Sequence, residues 1–366
     1  MKKILITGGH VTPAIAVIEK LMKDERVEIV FVGRRYINEY EKTETFEHQE
    51  VTRMGVRFIH LNTGRFSTEL SFKSLKRLLL SFSAFFKARN ILKKERPDVI
   101  LSFGGYIALP VAYAAHYMNI PLFTHEQTIR PGRANKLIAR VARTVFVSFE
   151  ENKKDFPGSH VVVTGNPVRE SVTKVMKKPF EIPSTEPVIY VTGGSLGAHS
   201  INILIEEKLE ELLSRYVLIH QTGDVKEYGD YERLVKKREG LPSNLKERYI
   251  LAPNFYDDQI GYVYDRSDVV VSRAGANTFF ELVTLKKPAV LIPLPWSANG
   301  EQEEHAKLYE RLSLGIAFDQ NRTAKELVET IDKLYSSREE YRKNFSNIPG
   351  IVNGNAAETI IQNLSI

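Results

Sequence analysis

The strongest constraint on the fold is a unit that occurs twice in the second half of the chain. Each copy consists of a buried strand, a turn of very small residues and an amphipathic helix, with strands at 188–191 and 268–271 and turns at 193–198 and 274–276. Small residues let a ligand approach the backbone, and the free N–H groups of a helix start favour an anion such as phosphate. Two such turns predict a diphosphate held between two helix starts.

The second turn is followed by two polar side chains that suit a nucleotide. Thr278 would supply a hydroxyl donor. Glu281 lies three residues later, about one turn further along the same helix face. A glutamate at that place can accept hydrogen bonds from a sugar diol. A tight strand–helix turn followed by a surface glutamate is the alternative interpretation of the same residues.

Strands and helices alternate along the whole chain, which predicts parallel sheets joined by right-handed crossovers. The expected strands lie at 3–7, 27–32, 56–60, 99–102, 120–125 and 144–147, and then at 188–191, 217–221, 249–252, 268–271 and 289–292. A chain of 366 residues is too long for one core, so two domains are expected. The predicted class is α/β, with domains at 1–165 and 166–349 and a hinge near Asn166 and Pro167.

The charge is distributed unevenly between the two halves. Residues 1–150 carry 24 basic against 14 acidic side chains, whereas residues 151–366 carry 27 against 31. This excess predicts an anionic partner for the first half, either nucleic acid or a lipid surface. The chain has no cysteine and no apolar run near the ~18 residues of a membrane span, so we expect a cytoplasmic protein without disulfides or thiolate chemistry.

A predicted helix at 72–92 combines an apolar stripe with basic neighbours, a pattern typical of a helix that lies on an anionic bilayer. An ordinary crossover helix that buries its stripe against the sheet would show the same spacing. The stripe consists of Leu75, Leu78, Leu79, Phe82, Phe85 and Phe86.

Polar and glycine residues also collect at strand ends in the first half. The first strand ends at Gly8-Gly9-His10, which lacks the three-glycine dinucleotide fingerprint and so argues against a nicotinamide dehydrogenase. His10 can remove a proton from a substrate hydroxyl, or it can cap the helix that follows. Later strands end at Gly104-Gly105-Tyr106 and at the polar stretch 124–128, which we expect to line a cleft.

Taken together, these motifs resemble the bacterial MurG family of N-acetylglucosaminyltransferases, glycosyltransferase family 28, which makes lipid II from lipid I. The similar stretches span most of the chain in the family's order. They are 8–14, 103–106, 125–127, 134–136, 165–169, 193–198, 273–276 and Glu281.

The resemblance implies a GT-B fold of two facing Rossmann-like domains, with a last helix in about 350–366 that packs back on the first. It implies UDP-N-acetylglucosamine in the second domain, undecaprenyl-linked lipid I on the first, and a peripheral place on the anionic inner face of the cell membrane, with no nucleic acid. It implies an inverting reaction with His10, or alternatively Glu126, as the catalytic base. Neither a metal nor a cofactor is expected, since helix starts and Arg169 would meet the charge of the leaving diphosphate.

The donor-binding residues implied by the resemblance are Arg169, Ser195, Tyr256, Ala276, Thr278, Glu281, Gln302 and His305. Gln302 and His305 are predicted to contact the donor sugar. The acceptor-side residues are Gly8, Gly9, Gly104, Gly105, Tyr106 and Thr128.

The chain departs from the family pattern at three places. Its first glycine loop is about three residues shorter, and Thr128 and His305 each stand where the family has asparagine. The donor sugar and the acceptor therefore stay open at this point. The alternatives are a GT-B transferase with another sugar or acceptor, a UDP-sugar 2-epimerase, or a sugar-nucleotide-binding protein without turnover.

Overall fold

The computed structural model describes residues 1–36, 44–62, 73–183, 185–194, 196–225, 227–348 and 354–364, with side chains omitted for 73–82 and 347. The chain divides into two compact units. Unit 1 comprises Met1–Arg169 with Gly350–Ile366, and unit 2 comprises Glu170–Pro349.

Unit 1 is built on a seven-stranded sheet in which all paired strands are parallel. Its order is β3-β2-β1-β4-β5-β6-β7. The strands are β1 Lys2–Thr7, β2 Val27–Gly33, β3 Arg57–His60, β4 Val99–Ser102, β5 Leu122–Glu126, β6 Thr144–Val147 and β7 Val161–Val163.

Helices cover both faces of this sheet, as expected for a parallel sheet whose strands are apolar on both sides. They are α1 Val11–Leu21, α2 Phe46–Arg53, α3 Lys73–Glu95, α4 Gly105–Tyr117 and α5 Arg133–Ile138, with a 3₁₀ segment at Glu150–Asp155. The last helix of the chain, Ala356–Asn363, also belongs to unit 1. Its Ile360 is fully buried in the same apolar cluster as Ile4 and Val17.

Unit 2 repeats the plan with a six-stranded parallel sheet of order β10-β9-β8-β11-β12-β13. Its strands are β8 Val188–Thr192, β9 Val217–Gln221, β10 Tyr249–Ala252, β11 Val269–Ser272, β12 Ala289–Leu291 and β13 Gly315–Ala317. Its helices are α6 Glu170–Thr173, α7 His199–Glu207, α8 Leu209–Leu213, α9 Asp230–Glu239, α10 Ser243–Lys246, α11 Asp257–Arg266, α12 Ala276–Thr284, α13 Glu301–Arg311, α14 Ala324–Ser336 and α15 Arg338–Asn344, with 3₁₀ segments at Ala298–Gly300 and Phe345–Asn347; the terminal helix of unit 1 is α16.

The two strand orders determine where each unit can hold a ligand. In unit 1 the order reverses between β1 and β4, and in unit 2 it reverses between β8 and β11. At such a point the two crossovers leave the sheet in opposite directions and open a crevice at the carboxyl ends of the strands. The turns after β1 and β4, and those after β8 and β11, are therefore neighbours within their own units.

All eleven predicted strands are confirmed to within two residues at each end, and the α/β class with two Rossmann-like parallel sheets is confirmed. Two strands were missed, namely β7 at one edge of the sheet of unit 1 and β13 at one edge of the sheet of unit 2. Both are three-residue edge strands, which are too short to show a period.

The amphipathic stripe is only partly described. Leu75, Leu78, Leu79 and Phe82 lie outside the described side chains, whereas Phe85 packs against the core and Phe86 is 57% exposed. In the described part of the chain, no helix is both long and apolar enough to cross a membrane.

Candidate active site

The two glycine turns of unit 1 interlock at the β1/β4 switch point. The backbone N–H of Gly9 donates to the carbonyl oxygen of Gly104 at 2.9 Å. Gly8 has a φ of +150°, and a Cβ there would lie 2.8 Å from the backbone of Phe103, so only glycine fits. The starts of α1 and α4 are consequently held side by side, and the predicted acceptor-side glycines are brought together.

His10 stands at the start of α1 and is oriented by the second turn. Its Nδ1 lies 3.0 Å from the carbonyl oxygen of Phe103. A carbonyl oxygen can only accept, so Nδ1 of the neutral ring carries the proton and Nε2 carries the lone pair. The ring is partly exposed, and it makes no side-chain cap to its own helix. This arrangement gives the imidazole a basic nitrogen rather than a capping role.

Glu126 has a different environment, because its carboxylate is buried and holds a loop together. Oε1 accepts a hydrogen bond from the backbone N–H of Thr128 at 3.0 Å and lies 2.8 Å from the Thr128 hydroxyl, whose one proton is shared with the carbonyl oxygen of Arg130, also at 2.8 Å. Oε2 accepts from the N–H of Gly132 at 3.1 Å and from Nδ2 of Asn135 at 2.9 Å. Glu126 is 1% exposed, and its four hydrogen-bond donors all lie within 126–135, so its carboxylate stabilises this loop. The Thr128 hydroxyl is directed into the same loop.

The glycine-rich turn of unit 2, residues 193–198, is set by close backbone packing. A Cβ on Gly193 would lie 2.1 Å from the nitrogen of Ala198, which no side chain can accommodate. The side chain of Gln221 donates from Nε2 to the carbonyl oxygen of Gly194 at 3.1 Å. The turn is therefore anchored to the end of β9. Ser195, which was predicted to bind the diphosphate, lies outside the described residues.

The second small-residue turn leads into α12, whose start has no side-chain cap at Gly275. Arg273 fixes this turn from one side: its guanidinium donates to the carbonyl oxygen of Ile292 at 3.1 Å and to the hydroxyl of Ser200 at 2.7 Å. Burial lowers the pKa of Arg273 to about 10, so the group still carries its charge at neutral pH. Because Ser200 lies in the first turn of α7, Arg273 ties the starts of α7 and α12 together.

Glu281 lies on α12 and is 9% exposed. Its Oε2 accepts a hydrogen bond from the hydroxyl of Tyr264 at 3.0 Å. Thr278, one turn earlier on α12, is partly exposed, and Ala276 forms the first residue of the helix. The three residues that the sequence reasoning grouped on this turn thus share one helix start.

The structure places His305, which was predicted to contact the donor sugar, in the core of unit 2. Its side chain is fully buried, Nδ1 lies 2.9 Å from the carbonyl oxygen of Ala274, and the ring packs on Phe279. Desolvation lowers the pKa of His305 to about 4, so the ring is neutral and donates from Nδ1. The one-step spacing from Gln302 does place both residues on α13, but the two side chains point to different surroundings.

Gln302 is partly exposed and holds the loop before α13. The side-chain oxygen Oε1 of Gln302 accepts from the backbone N–H of Leu294 at 3.1 Å, and the backbone N–H of Gln302 donates to the hydroxyl of Ser297 at 3.3 Å. Tyr256 precedes α11 and is 70% exposed. Arg169 is partly buried at the end of unit 1's first segment. Within the described ranges no group of His, Asp and Glu side chains is arranged to hold a metal ion.

Three residues of this region were not predicted: Tyr190, Gln221 and Tyr264. Gln221 had a usable signal, because it is a polar residue at the carboxyl end of a strand. The tyrosines had none, since an aromatic residue in an apolar strand or helix indicates core packing equally well.

Two Rossmann-like parallel-sheet units, each with glycine turns at its switch point, define a protein of the GT-B fold class. The model of the glycosyltransferase family 28 N-terminal domain matches residues 7–147, and that of the family 28 C-terminal domain matches residues 188–364. The chain therefore belongs to glycosyltransferase family 28.

Relatives match over nearly the full length. A protein of Clostridium tetani is 31% identical over 94% of this chain and 93% of its own length, and one of Bacillus cereus is 31% identical over 100% and 99%. Both are named UDP-N-acetylglucosamine–N-acetylmuramyl-(pentapeptide) pyrophosphoryl-undecaprenol N-acetylglucosamine transferase, the second with the suffix 2.

Solved structures agree on the fold. MurG of Acinetobacter baumannii superposes with a TM-score of 0.73 at 24% identity, covering 100% of this chain and 99% of that one. A UDP-GlcNAc 2-epimerase of Neisseria meningitidis, bound to UDP-GlcNAc, superposes with a TM-score of 0.66 at 17% identity, covering both chains fully. The GT-B fold is thus shared by transferases and epimerases, and the fold alone does not separate them.

Proposed function

We propose that this protein is an inverting glycosyltransferase that moves N-acetylglucosamine from UDP-N-acetylglucosamine to a lipid-linked muramyl pentapeptide. The observation that carries the proposal is the 31% identity, over the full length, to relatives named for this reaction. Unit 1 would hold the acceptor and unit 2 the donor, with the family 28 N- and C-terminal models matching the corresponding segments.

On the acceptor side, His10 is assigned as the catalytic base. Nε2 takes the proton of the acceptor hydroxyl, and the oxygen attacks the anomeric carbon as the bond to the UDP oxygen breaks on the opposite face. The contact between Nδ1 and Phe103 supports this role, because it presents the unprotonated nitrogen outward from the turn. Gly9 and Gly105 would let the acceptor approach the starts of α1 and α4.

On the donor side, Glu281 would accept hydrogen bonds from the ribose diol, while Thr278 and the start of α12 would meet the diphosphate. The start of α12, which has no side-chain cap at Gly275, supports this, because its free N–H groups carry partial positive charge. Their attraction to the diphosphate becomes stronger as the leaving UDP gains negative charge. Gln302 would face the sugar, and His305 would act only through the turn at Ala274. Arg169, Ser195 and Tyr256 remain assigned to the nucleotide.

We also propose that unit 1 binds an anionic membrane surface peripherally. A cluster of three aromatic side chains beside the C-terminal half of α3 supports this. Phe86 and Tyr117 are 57% and 65% exposed, and the ring of Phe85 contacts both of them. The guanidinium of Arg89 lies 5.7 Å from the Tyr117 ring centroid, and Lys87 is exposed next to Phe86. Aromatic side chains with adjacent cations suit the boundary between lipid headgroups and acyl chains.

The reaction is tested by incubating the purified protein with UDP-N-acetylglucosamine and a lipid I analogue and following both products by mass spectrometry. We expect equimolar UDP and a glycosylated lipid, and no glycosylated lipid with UDP-N-acetylgalactosamine. UDP-N-acetylmannosamine formed without acceptor would identify an epimerase instead. UDP binding without either product would identify a sugar-nucleotide-binding protein.

The membrane proposal is tested by co-sedimentation with phosphatidylglycerol vesicles. Phe86→Asp combined with Tyr117→Asp should abolish binding without loss of thermal stability, because both rings are largely exposed already. Phe46→Asp is the matched control, since Phe46 is a 45% exposed aromatic residue elsewhere in unit 1. Equal sedimentation of the double variant and the unmodified protein would overturn the proposal.

A further inference from the structure

Two buried tyrosines pack together in unit 2, and their hydroxyls serve different partners. Tyr190 on β8 and Tyr264 on α11 meet edge to face, with ring centroids 5.4 Å apart and planes at 88°. They are 1% and 3% exposed, so neither ring reaches solvent appreciably. Tyr264 donates to Oε2 of Glu281 at 3.0 Å, whereas Tyr190 donates to Oε1 of Gln221 at 3.1 Å.

The hydrogen bond from Tyr264 restricts a side chain that would otherwise have several rotamers. Glutamate has three side-chain torsions, and ordering them on ligand binding costs roughly 1–2 kcal/mol of conformational entropy. A carboxylate that receives two hydroxyls of a diol must also present its plane at a defined angle. A donor held rigidly in the core imposes that angle before the ligand arrives, which is preorganisation of the site.

From this geometry we infer that Tyr264 is a positioning residue for nucleotide recognition, which acts on the ribose solely through Glu281. The inference rests on the proposed function, because it requires Glu281 to bind the ribose diol. It adds a residue outside the donor site that sets how strongly the diol contributes to affinity.

The hydroxyl of Tyr190 acts on a different part of the same site. Its partner Gln221 donates to the carbonyl oxygen of Gly194 and accepts from the N–H of Phe255 at 3.3 Å. Tyr190 and Gln221 thus support the glycine turn and the loop after β10. Burial, and to a lesser extent the nearby charge of Glu281, raises the pKa of Tyr190, but the hydroxyl of Tyr190 donates to Gln221. Tyr190 therefore supplies a matched control: a buried tyrosine from the same ring pair, with the same loss of one hydroxyl.

The test compares the affinities of UDP and 2′,3′-dideoxy-UDP by calorimetry, so that their ratio measures the contribution of the diol. Tyr264→Phe should lower UDP affinity about 5- to 20-fold, as expected for weakening hydrogen bonds to a charged group, and leave dideoxy-UDP affinity unchanged. Tyr190→Phe should change both affinities by the same factor.

Glu281→Ala separates failure of this inference from failure of the proposed function. If the ratio of UDP to dideoxy-UDP affinity in Glu281→Ala equals that of the unmodified protein, Glu281 does not bind the diol. The ribose assignment of Glu281 and the positioning role of Tyr264 are then both refuted. If Glu281→Ala brings the ratio close to one while Tyr264→Phe leaves it unchanged, the ribose assignment stands and the positioning role of Tyr264 is refuted. Tyr264→Phe added to Glu281→Ala should cause no further change in the ratio.

Discussion

At the scale of single residues, hydrogen bonds distinguish His10, the predicted catalytic base, from Glu126, its predicted alternative. His10 is partly exposed and uses only Nδ1 in its hydrogen bond to the carbonyl oxygen of Phe103. Glu126 is buried, and its carboxylate lies within hydrogen-bond distance of four donors. A group that must take a proton from a substrate needs a lone pair that the substrate can reach. We therefore assign proton transfer to His10 and loop stabilisation to Glu126.

His10→Ala should lower kcat by roughly 10²–10⁴, the usual contribution of a general base, and leave UDP affinity little changed. The physical reason is that the hydroxyl would then lose its proton only to water. Steady-state kinetics with saturating donor measure this, with calorimetry of UDP as the control. A kcat close to that of the unmodified enzyme would remove His10 as the base.

Glu126→Gln should act on stability instead. An amide in place of the carboxylate turns an NH₂ group toward donors such as Gly132 N–H or the Thr128 backbone, and it leaves a buried donor unsatisfied at a cost of about 1–3 kcal/mol. Urea unfolding should show this loss, and the kcat of the folded fraction should stay within a few-fold of normal. A large fall in kcat with unchanged stability would contradict the assignment and favour Glu126 as the base.

At the scale of elements, both small-residue turns of unit 2 lead into helices, yet they need glycine for different reasons. Gly193 is constrained by its own turn, since a Cβ would collide with Ala198. Gly275 has ordinary backbone angles, and a Cβ there would meet no atom within 4 Å. Space around Gly275 is thus available to a ligand at the start of α12.

Alanine at the two positions should therefore give different results. Gly193→Ala should lower the melting temperature of unit 2 and abolish UDP binding, because the backbone must move. Gly275→Ala should leave the melting temperature within a degree or so and still weaken UDP binding, because the methyl group occupies the phosphate approach. Differential scanning calorimetry with and without UDP measures both; normal UDP binding by Gly275→Ala would place the diphosphate elsewhere.

At the scale of the whole molecule, both units enclose neutral histidines, namely His125 in unit 1 and His220 and His305 in unit 2. Burial lowers the pKa of His125 in unit 1 from its ordinary value of 6.5 to about 4, and that of His220 in unit 2 to about 3. His220 is held between the hydroxyl of Tyr249 and the side-chain oxygen of Asn202. Protonation of either ring is thus strongly disfavoured by the folded state.

These shifts predict a loss of stability in mild acid. The unfolded chain takes up protons as the pH falls below about 6.5, while the folded rings stay neutral, so the stabilisation is complete above pH 6.5 and declines toward pH 4. Each histidine contributes a slope of up to about 1.4 kcal/mol per pH unit in that window. Urea unfolding between pH 7 and pH 5 should show this slope, reduced in His220→Gln but unchanged in His116→Gln, whose imidazole is exposed. Equal slopes in both variants would contradict the prediction.

Much of the architecture was predictable from local sequence, because its signals are short-range. Alternating apolar runs and amphipathic helices indicated parallel sheets, and glycine turns after strands indicated the turns that meet at the switch points. The edge strands β7 and β13 escaped because three residues carry no period, and their pairing depends on neighbours distant in the chain.

The sequence by itself determined the class of fold, the succession of strands and turns along the chain, and the residue types at the strand ends. Only the tertiary structure decided what those residues do: Glu126 became a brace, His305 became a buried support of Ala274, and Tyr264 was brought to Glu281. The physical reason is that a side chain's role depends on which donors surround it and how far it is buried. Both are set by packing between segments far apart in the chain, which spacing along one segment does not encode.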